Sequence, residues 1–253
     1  MSKKTVHFIL QEKGGSGKSF VSVVLAQYLQ KNSDEILYCI DTDAQQSFAR
    51  YSELNVEGVQ LLDEYDEIDT SKFDTLIEHL VENEGITVVD TGASTFKPLL
   101  SYIKRYGVVE LLEDAGVDCY VHVPIHGGAA VHETTLGLSF VLEHFNKNVV
   151  PWLNHHLALI EMNGEPFVKW NIYKENKHKI KGVIELRRQQ QDTTLNDVVK
   201  MTTQSLTFEQ ALTSPNFHIM NKQRLRIYHR ELFNELKNSG VFEKHESLTS
   251  EQE

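Results

Sequence analysis

The amino-acid sequence predicts an α/β protein: a mainly parallel, twisted sheet with helices on both faces. Three observations predict it. Short segments rich in Val and Ile alternate with longer stretches of helical periodicity over about 150 residues. The 253 residues, 40% hydrophobic and 24% charged, are enough for one large core. The first apolar segment also passes through a glycine-rich turn into a helical pattern, the order strand, turn, helix.

Taken in order, the expected strands are Val6–Leu10, Ile36–Ile40, Ile86–Val89, Cys119–Val123, Val149–Leu153 and Ile180–Leu186. Each is short, β-branched and bounded by turn or charged residues. Between them the pattern predicts helices over Lys18–Lys31, Thr70–Asn83, Lys97–Asp114 and Ala130–Asn146. The last carries Val131, Leu138, Val141, Leu142 and Phe145 as an apolar stripe of roughly 3.6-residue period. Asn163-Gly164, between two β-prone segments, is a hairpin turn signal. A final helix over Asn221–Asn238 places Leu225, Leu232 and Leu236 on one side and Lys222, Arg224, Arg226 and Arg230 elsewhere. No repeat or low-complexity linker divides the chain, so residues 1–240 are expected to form one domain. Residues 241–253, which include "EKHESLTSEQE", are expected to be a disordered acidic tail.

Net charge is −11, which excludes a protein that coats nucleic acid over its whole surface. The charge is uneven. Ser52–Asp90 holds twelve acids against one lysine, whereas Lys169–Arg188 holds seven bases against two acids. These are read first as solvated faces, although an acidic chain can still present one basic patch. No apolar run of about 18 residues occurs and the N-terminus does not resemble a signal peptide, so a cytoplasmic location is expected. Cys39 and Cys119 each lie inside an apolar run and read as buried thiols. His122 and His126 straddle a predicted strand end, which points to neutral surface roles rather than a metal site.

The glycine-rich turn is the most informative stretch. Backbone N–H groups of such a loop can wrap phosphate oxygens, and the helix behind it adds a partial positive charge. Gly14, Gly15, Ser16, Gly17, Lys18, Ser19 and Phe20 are therefore expected to bind nucleotide, with Lys18 on the β/γ-phosphates and the Ser19 hydroxyl on Mg²⁺. The usual pattern G-x-x-x-x-G-K-[ST] is not strictly met, since Glu12 occupies the first glycine position. A second lysine, Lys13, stands five residues before Lys18 and needs its own explanation.

"KGGSGKS" resembles the deviant Walker A motif KGGxGK[ST] of the ParA/MinD family of dimeric ATPases. The resemblance implies a P-loop NTPase fold, a three-layer sandwich, with ATP and Mg²⁺ as cofactors. It also implies that Lys13 reaches across a dimer interface to the partner's nucleotide; simple attraction to its own nucleotide is the alternative. "LYCIDTDAQQS" resembles the family's DxDPQ segment, with Ala44 in place of proline. Asp43 is then the residue that positions the attacking water, and Asp41 holds the loop or the metal shell. "GITVVDTGAST" resembles Walker B and a switch loop, which would bring Asp90 to the metal through water. "VVPWLN" resembles the strand whose terminal asparagine contacts adenine, which makes Asn154 the candidate; a strand-end asparagine starting a turn is the plainer reading. Phe20 departs from the family, which has a hydroxyl there. Its absence would weaken nucleotide binding by on the order of 1 kcal/mol. The segment after Asn154 is most similar to the TraL-type branch associated with conjugal plasmid transfer.

The resemblance implies a Mg²⁺-dependent ATPase that forms a homodimer with ATP and separates after hydrolysis to ADP, acting with a protein partner in plasmid transfer or partition. Lys222, Arg226 and Arg230 recur every four residues and would suit non-specific DNA contacts; the solvated side of an amphipathic helix is the alternative. No helix clearly suited to a membrane surface is apparent, so no membrane partner is expected. Two other functions stay open: a nucleotide-gated scaffold with little hydrolysis, and a P-loop small-molecule kinase or synthetase.

Overall fold

A computed structural model describes residues 4–242 of the chain except 66, 68, 157 and 190. In chain order the elements are β1 (Lys4–Ile9), α1 (Lys18–Asn32), β2 (Leu37–Asp41), β3 (Glu57–Gly58), α2 (Ser71–Glu82), β4 (Ile86–Asp90), α3 (Phe96–Tyr106), α4 (Val108–Asp114) and β5 (Val117–His126). They continue with α5 (Val131–His144), β6 (Val149–Asn154), β7 (Glu161–Met162), β8 (Glu165–Pro166), α6 (Asn171–Asn176), β9 (Ile184–Leu186), α7 (Asn196–Thr203), α8 (Phe208–Thr213) and α9 (Ile219–Asn238).

Across the described residues the main sheet has the strand order β3-β2-β4-β1-β5-β6-β9, and every pairing is parallel. Parallel strands need crossover helices, and these cover both faces, as expected. Along β1 the pleat sends Val6 and Phe8 to one side and Ile9 to the other, and this alternation creates two cores. One joins Val6, Phe8, Val89, Val121 and Val123 to α2, α3, α4 and α5. The other joins Ile9, Cys39, Val88, Val150 and Trp152 to α1, α7, α8 and α9. Trp152, fully buried in the second, is the kind of side chain whose truncation to alanine costs about 3–5 kcal/mol. Leu225, Leu232 and Leu236 of α9 are buried there too, as the helical stripe predicts.

Several elements differ from expectation. The predicted helix over Lys97–Asp114 is two helices, because Gly107 takes φ 60 and its N–H caps α3 at Ile103. The predicted strand Ile180–Leu186 is regular only over Ile184–Leu186, with Ile180 making a single bridge to Val149. Gly182 between them lies against the Ser239 carbonyl, where a Cβ would fall 2.4 Å away. The hairpin does form, with Asn163 at φ 54 and Gly164 at φ 75 joining β7 to β8. Helices α7 and α8 have no counterpart among the predicted elements. Val241 is buried and Phe242 stacks over His122, so the packed chain runs two residues beyond 240. The remainder of the expected tail lies outside the described residues.

His122 and His126 are buried rather than on the surface. They fall on one strand and, four apart, point to the same face of the sheet. His122 Nδ1 accepts from Trp152 Nε1 at 2.8 Å, so its proton is on Nε2, which lies 3.0 Å from His7 Nδ1. Burial, with His7 beside it, holds the His122 pKa well below the ordinary histidine value.

Candidate functional site

The register of the sheet decides which residues meet at its carboxyl edge. Asp41, at the end of β2, pairs with Asp90, at the end of β4, and Asp90 pairs with Ile9, the last residue of β1. On the far side His126, ending β5, pairs with Asn154, ending β6. The glycine-rich loop leaves β1 between these two pairs. Gly15 and Gly17 take left-handed φ values of 71 and 96, which non-glycine residues adopt with strain. A Cβ on Gly17 would also come within 2.9 Å of the Asn154 side-chain nitrogen.

Helix α1 starts at Lys18 with no side-chain cap and no acid in its first turn. Its free N–H groups and dipole thus face the loop, the arrangement that attracts an anion. Lys18 is buried. Burial lowers its pKa, and Asp90 and Asp43 oppose that shift. The Ser16 hydroxyl is buried without a hydrogen-bond partner among the described residues. An orphaned hydroxyl inside a cationic loop suits a phosphate oxygen.

Asp90 is fully buried, and its Oδ1 accepts from Ser22 Oγ at 2.8 Å. Its Oδ2 is buried without a partner among the described residues. Burial pushes the carboxyl up to about 7, which Ser19, Ser22 and Lys18 partly oppose. Ser19 and Asp90 therefore supply a hydroxyl and a carboxylate oxygen that fit a Mg²⁺ held through water. Asp41 is held differently. Its Oδ1 accepts from the Asp43 N–H at 2.9 Å, and its Oδ2 accepts from Phe48 and Ala49 N–H groups at 2.8 and 2.9 Å. Of the two roles expected for Asp41, loop or metal shell, the hydrogen bonds shown are those that fix the loop 42–49.

Asp43 emerges from that loop half-buried. Its Oδ1 accepts from the Gln45 N–H at 3.1 Å, and Gly92 lies against its carboxylate. The segment after Asp90 is tied down as well: Thr91 donates to the Ile9 carbonyl at 2.7 Å, and Thr95 donates to the Gly92 carbonyl at 2.9 Å. Lys18, Asp43, Asp90 and Gly92 are thus neighbours, as the sequence motifs require. Lys13 points elsewhere. Its ammonium pairs with Glu133 on α5 at 2.6 Å, and both side chains are about half exposed, at 43% and 55%. The preceding Glu12 pairs with Lys97 on α3 at 2.5 Å.

Beyond the loop a cleft of about 530 Å³ runs from Gly15, Gly17 and Ser19 past Phe20 to Asn154. Asn154 Oδ1 accepts from the His156 N–H at 3.1 Å, as in a strand-end turn, while its amide nitrogen faces Gly17. Asn154 thus opens a turn and also lines the cleft. Residues absent from the predicted site complete the wall, among them Arg50, His126, His156, Arg187 and Val198. Arg187 belongs to the basic run Lys169–Arg188. His126 and His156 had no sequence signal for a place in a cleft.

The cleft and loop fall within a match, over residues 7–206, to the family described as the CobQ/CobB/MinD/ParA nucleotide binding domain. The chain is also 35% identical over 239 residues to Protein TraL of Escherichia coli, covering 93% of this chain and 98% of that protein. Among solved structures, a putative plasmid partition protein from Borrelia burgdorferi bound to AMPPNP aligns with 17% identity and TM-score 0.49, over 92% of this chain and 99% of that one. MinD of Aquifex aeolicus aligns with 16% identity and TM-score 0.47, over 91% and 97%. The chain belongs to the CobQ/CobB/MinD/ParA family of nucleotide-binding domains.

Proposed function

We propose that the chain is a Mg²⁺-dependent ATPase that pairs with a second copy of itself when ATP is bound and separates after hydrolysis to ADP. One observation carries this reading: Lys18, Asp43 and the half-unpartnered Asp90 converge beside an uncapped helix end. Lys18 and the loop N–H groups hold the phosphates, with the Ser16 hydroxyl available to one of their oxygens. Ser19 and Asp90 hold the Mg²⁺, which when bound neutralises charge on the β- and γ-phosphates. Asp43 orients the attacking water and accepts its hydrogen bond, since its loop is fixed by Asp41 and rests on Gly92.

Lys13 is the residue that links hydrolysis to assembly. Its pair with Glu133 is solvent-screened and worth at most about 1 kcal/mol, so it can exchange that partner for a phosphate of a facing subunit. The output is then an assembly state in plasmid transfer or partition, the setting that the resemblance of the phosphate loop and of the segment after Asn154 implies. Arg226 and Arg230 are exposed on α9 and Lys222 is half-buried, a stripe suited to non-specific contact with DNA phosphates.

Phosphate release from ATP tests the reading. The wild-type chain with Mg²⁺ is expected to turn over slowly, and Asp43→Ala to lose at least tenfold while still binding ATP. Equal rates for the two would leave a nucleotide-gated scaffold. ATP-dependent phosphorylation of a small acceptor would replace the ATPase with a kinase.

A further inference from the structure

Gln11 heads the phosphate loop, two residues before Lys13, and is fully buried. Its amide nitrogen donates to the Pro124 carbonyl on β5 at 2.9 Å and to the Thr134 carbonyl in the first turn of α5 at 3.0 Å. Its Oε1 accepts from the Lys13 main-chain N–H at 3.4 Å. Across from it lies Gly137, where a Cβ would fall 2.1 Å from Gln11 Oε1 and 2.8 Å from its Cδ. Gly137 sits in mid-helix with no left-handed backbone, where glycine is ordinarily unfavourable. The space it leaves is filled by Gln11. Lys13 is thus held to α5 at both ends, its N–H through Gln11 and its ammonium through Glu133, the neighbour of Thr134.

We infer that Gln11 is a positioning residue: packed against Gly137, it locks the phosphate loop to α5 and so sets where Lys13 stands. The inference deepens the dimer reading above and rests on it. Gln11 cannot yield to a side chain at 137 without giving up its bonds to Pro124 and Thr134, because it has no solvent to move into. Any displacement of α5 is transmitted to the lysine that meets the second subunit, whereas Lys18 is anchored separately, buried at the start of α1.

The test is an ATP titration of solution mass on wild type, Gly137→Ala, Gln11→Ala and the double variant, all carrying Asp43→Ala to stop turnover. Gly137→Ala is expected to raise the ATP concentration for half-dimerisation at least fivefold and to lower the melting temperature, since two buried hydrogen bonds are given up, with ADP affinity within twofold of the parent. A merely structural lesion would lower ADP affinity as well. In the Gln11→Ala background the same substitution is expected to change the midpoint less than twofold, because the group it displaces is gone. A parent that dimerises and a Gly137→Ala chain that dimerises at the same ATP concentration would overturn the clamp and leave the switch standing. Full additivity of the two substitutions would also overturn it. A parent that binds ATP yet never dimerises would overturn the dimer reading, and the assignment of Gln11 with it.

Discussion

Asp41 and Asn154 both end strands of one sheet, yet they sit in sites built on different plans. Asp41 accepts three main-chain N–H groups and is out of contact with solvent. Around it, glycines at positive φ and the uncapped end of α1 make the proposed phosphate site largely out of backbone. Asn154 accepts one N–H and lies in a cleft walled by side chains from β9, α7 and separate loops. Backbone geometry tolerates few sequences, whereas a side-chain wall can be assembled in many ways. The proposed phosphate end should therefore be brittle and the proposed base end forgiving.

The largest effect expected is at Lys18. Lys18→Ala removes the buried cation and should reduce ATP and ADP affinity by 100-fold or more by calorimetry, on the order of 3 kcal/mol. A loss below tenfold would mean that the backbone alone holds the phosphates. Asp90 sharpens the contrast, because its role and its stability point in opposite directions. Its carboxyl is pushed up to about 7, so the folded chain binds a proton there that the unfolded chain has already released. Stability from that proton is present at low pH and is lost as pH rises through about 7. Asp90→Asn should therefore stabilise the nucleotide-free chain above that pH by on the order of 1–3 kcal/mol, while abolishing Mg²⁺-dependent tightening of ATP. In the wild type, Mg²⁺ affinity should rise with pH up to about 7 and level off above it, since proton and cation compete for one carboxylate. An Asp90→Asn melt below wild type at pH 8 would contradict this.

The base end should respond mildly. Asn154→Ala is expected to weaken ADP by about 1 kcal/mol, three- to tenfold, and Phe20→Ser to strengthen it by a similar factor or less. A hundredfold loss at Asn154 would show that the two ends are equally demanding.

The same contrast explains what was legible in the sequence. The loop from Gly14 to Ser19, Asp43 and Asp90 could be read because each needs a particular residue beside particular neighbours in the chain. The order of strands and helices followed from the period of apolar residues. Gln11, Gly137 and Glu133 escaped, since Gly137 meets Gln11 and Glu133 meets Lys13 only after α5 has packed against β5, more than a hundred residues along the chain. His126 and His156 escaped for the same reason. Gly107 lies inside the single helix expected over Lys97–Asp114, and its positive φ makes the break. Asp41 could be read only as a loop or metal-shell residue, because its spacing from Asp43 does not say which of the two faces the loop N–H groups.

The most direct test of the account is solution mass with ADP, and with ATP on Asp43→Ala, each repeated with Lys13→Ala added. The account predicts a monomer with ADP, a doubled mass with ATP, and no doubling once Lys13 is removed. Confirmed nucleotide binding with a mass that never changes, or a doubling that survives Lys13→Ala, would contradict it.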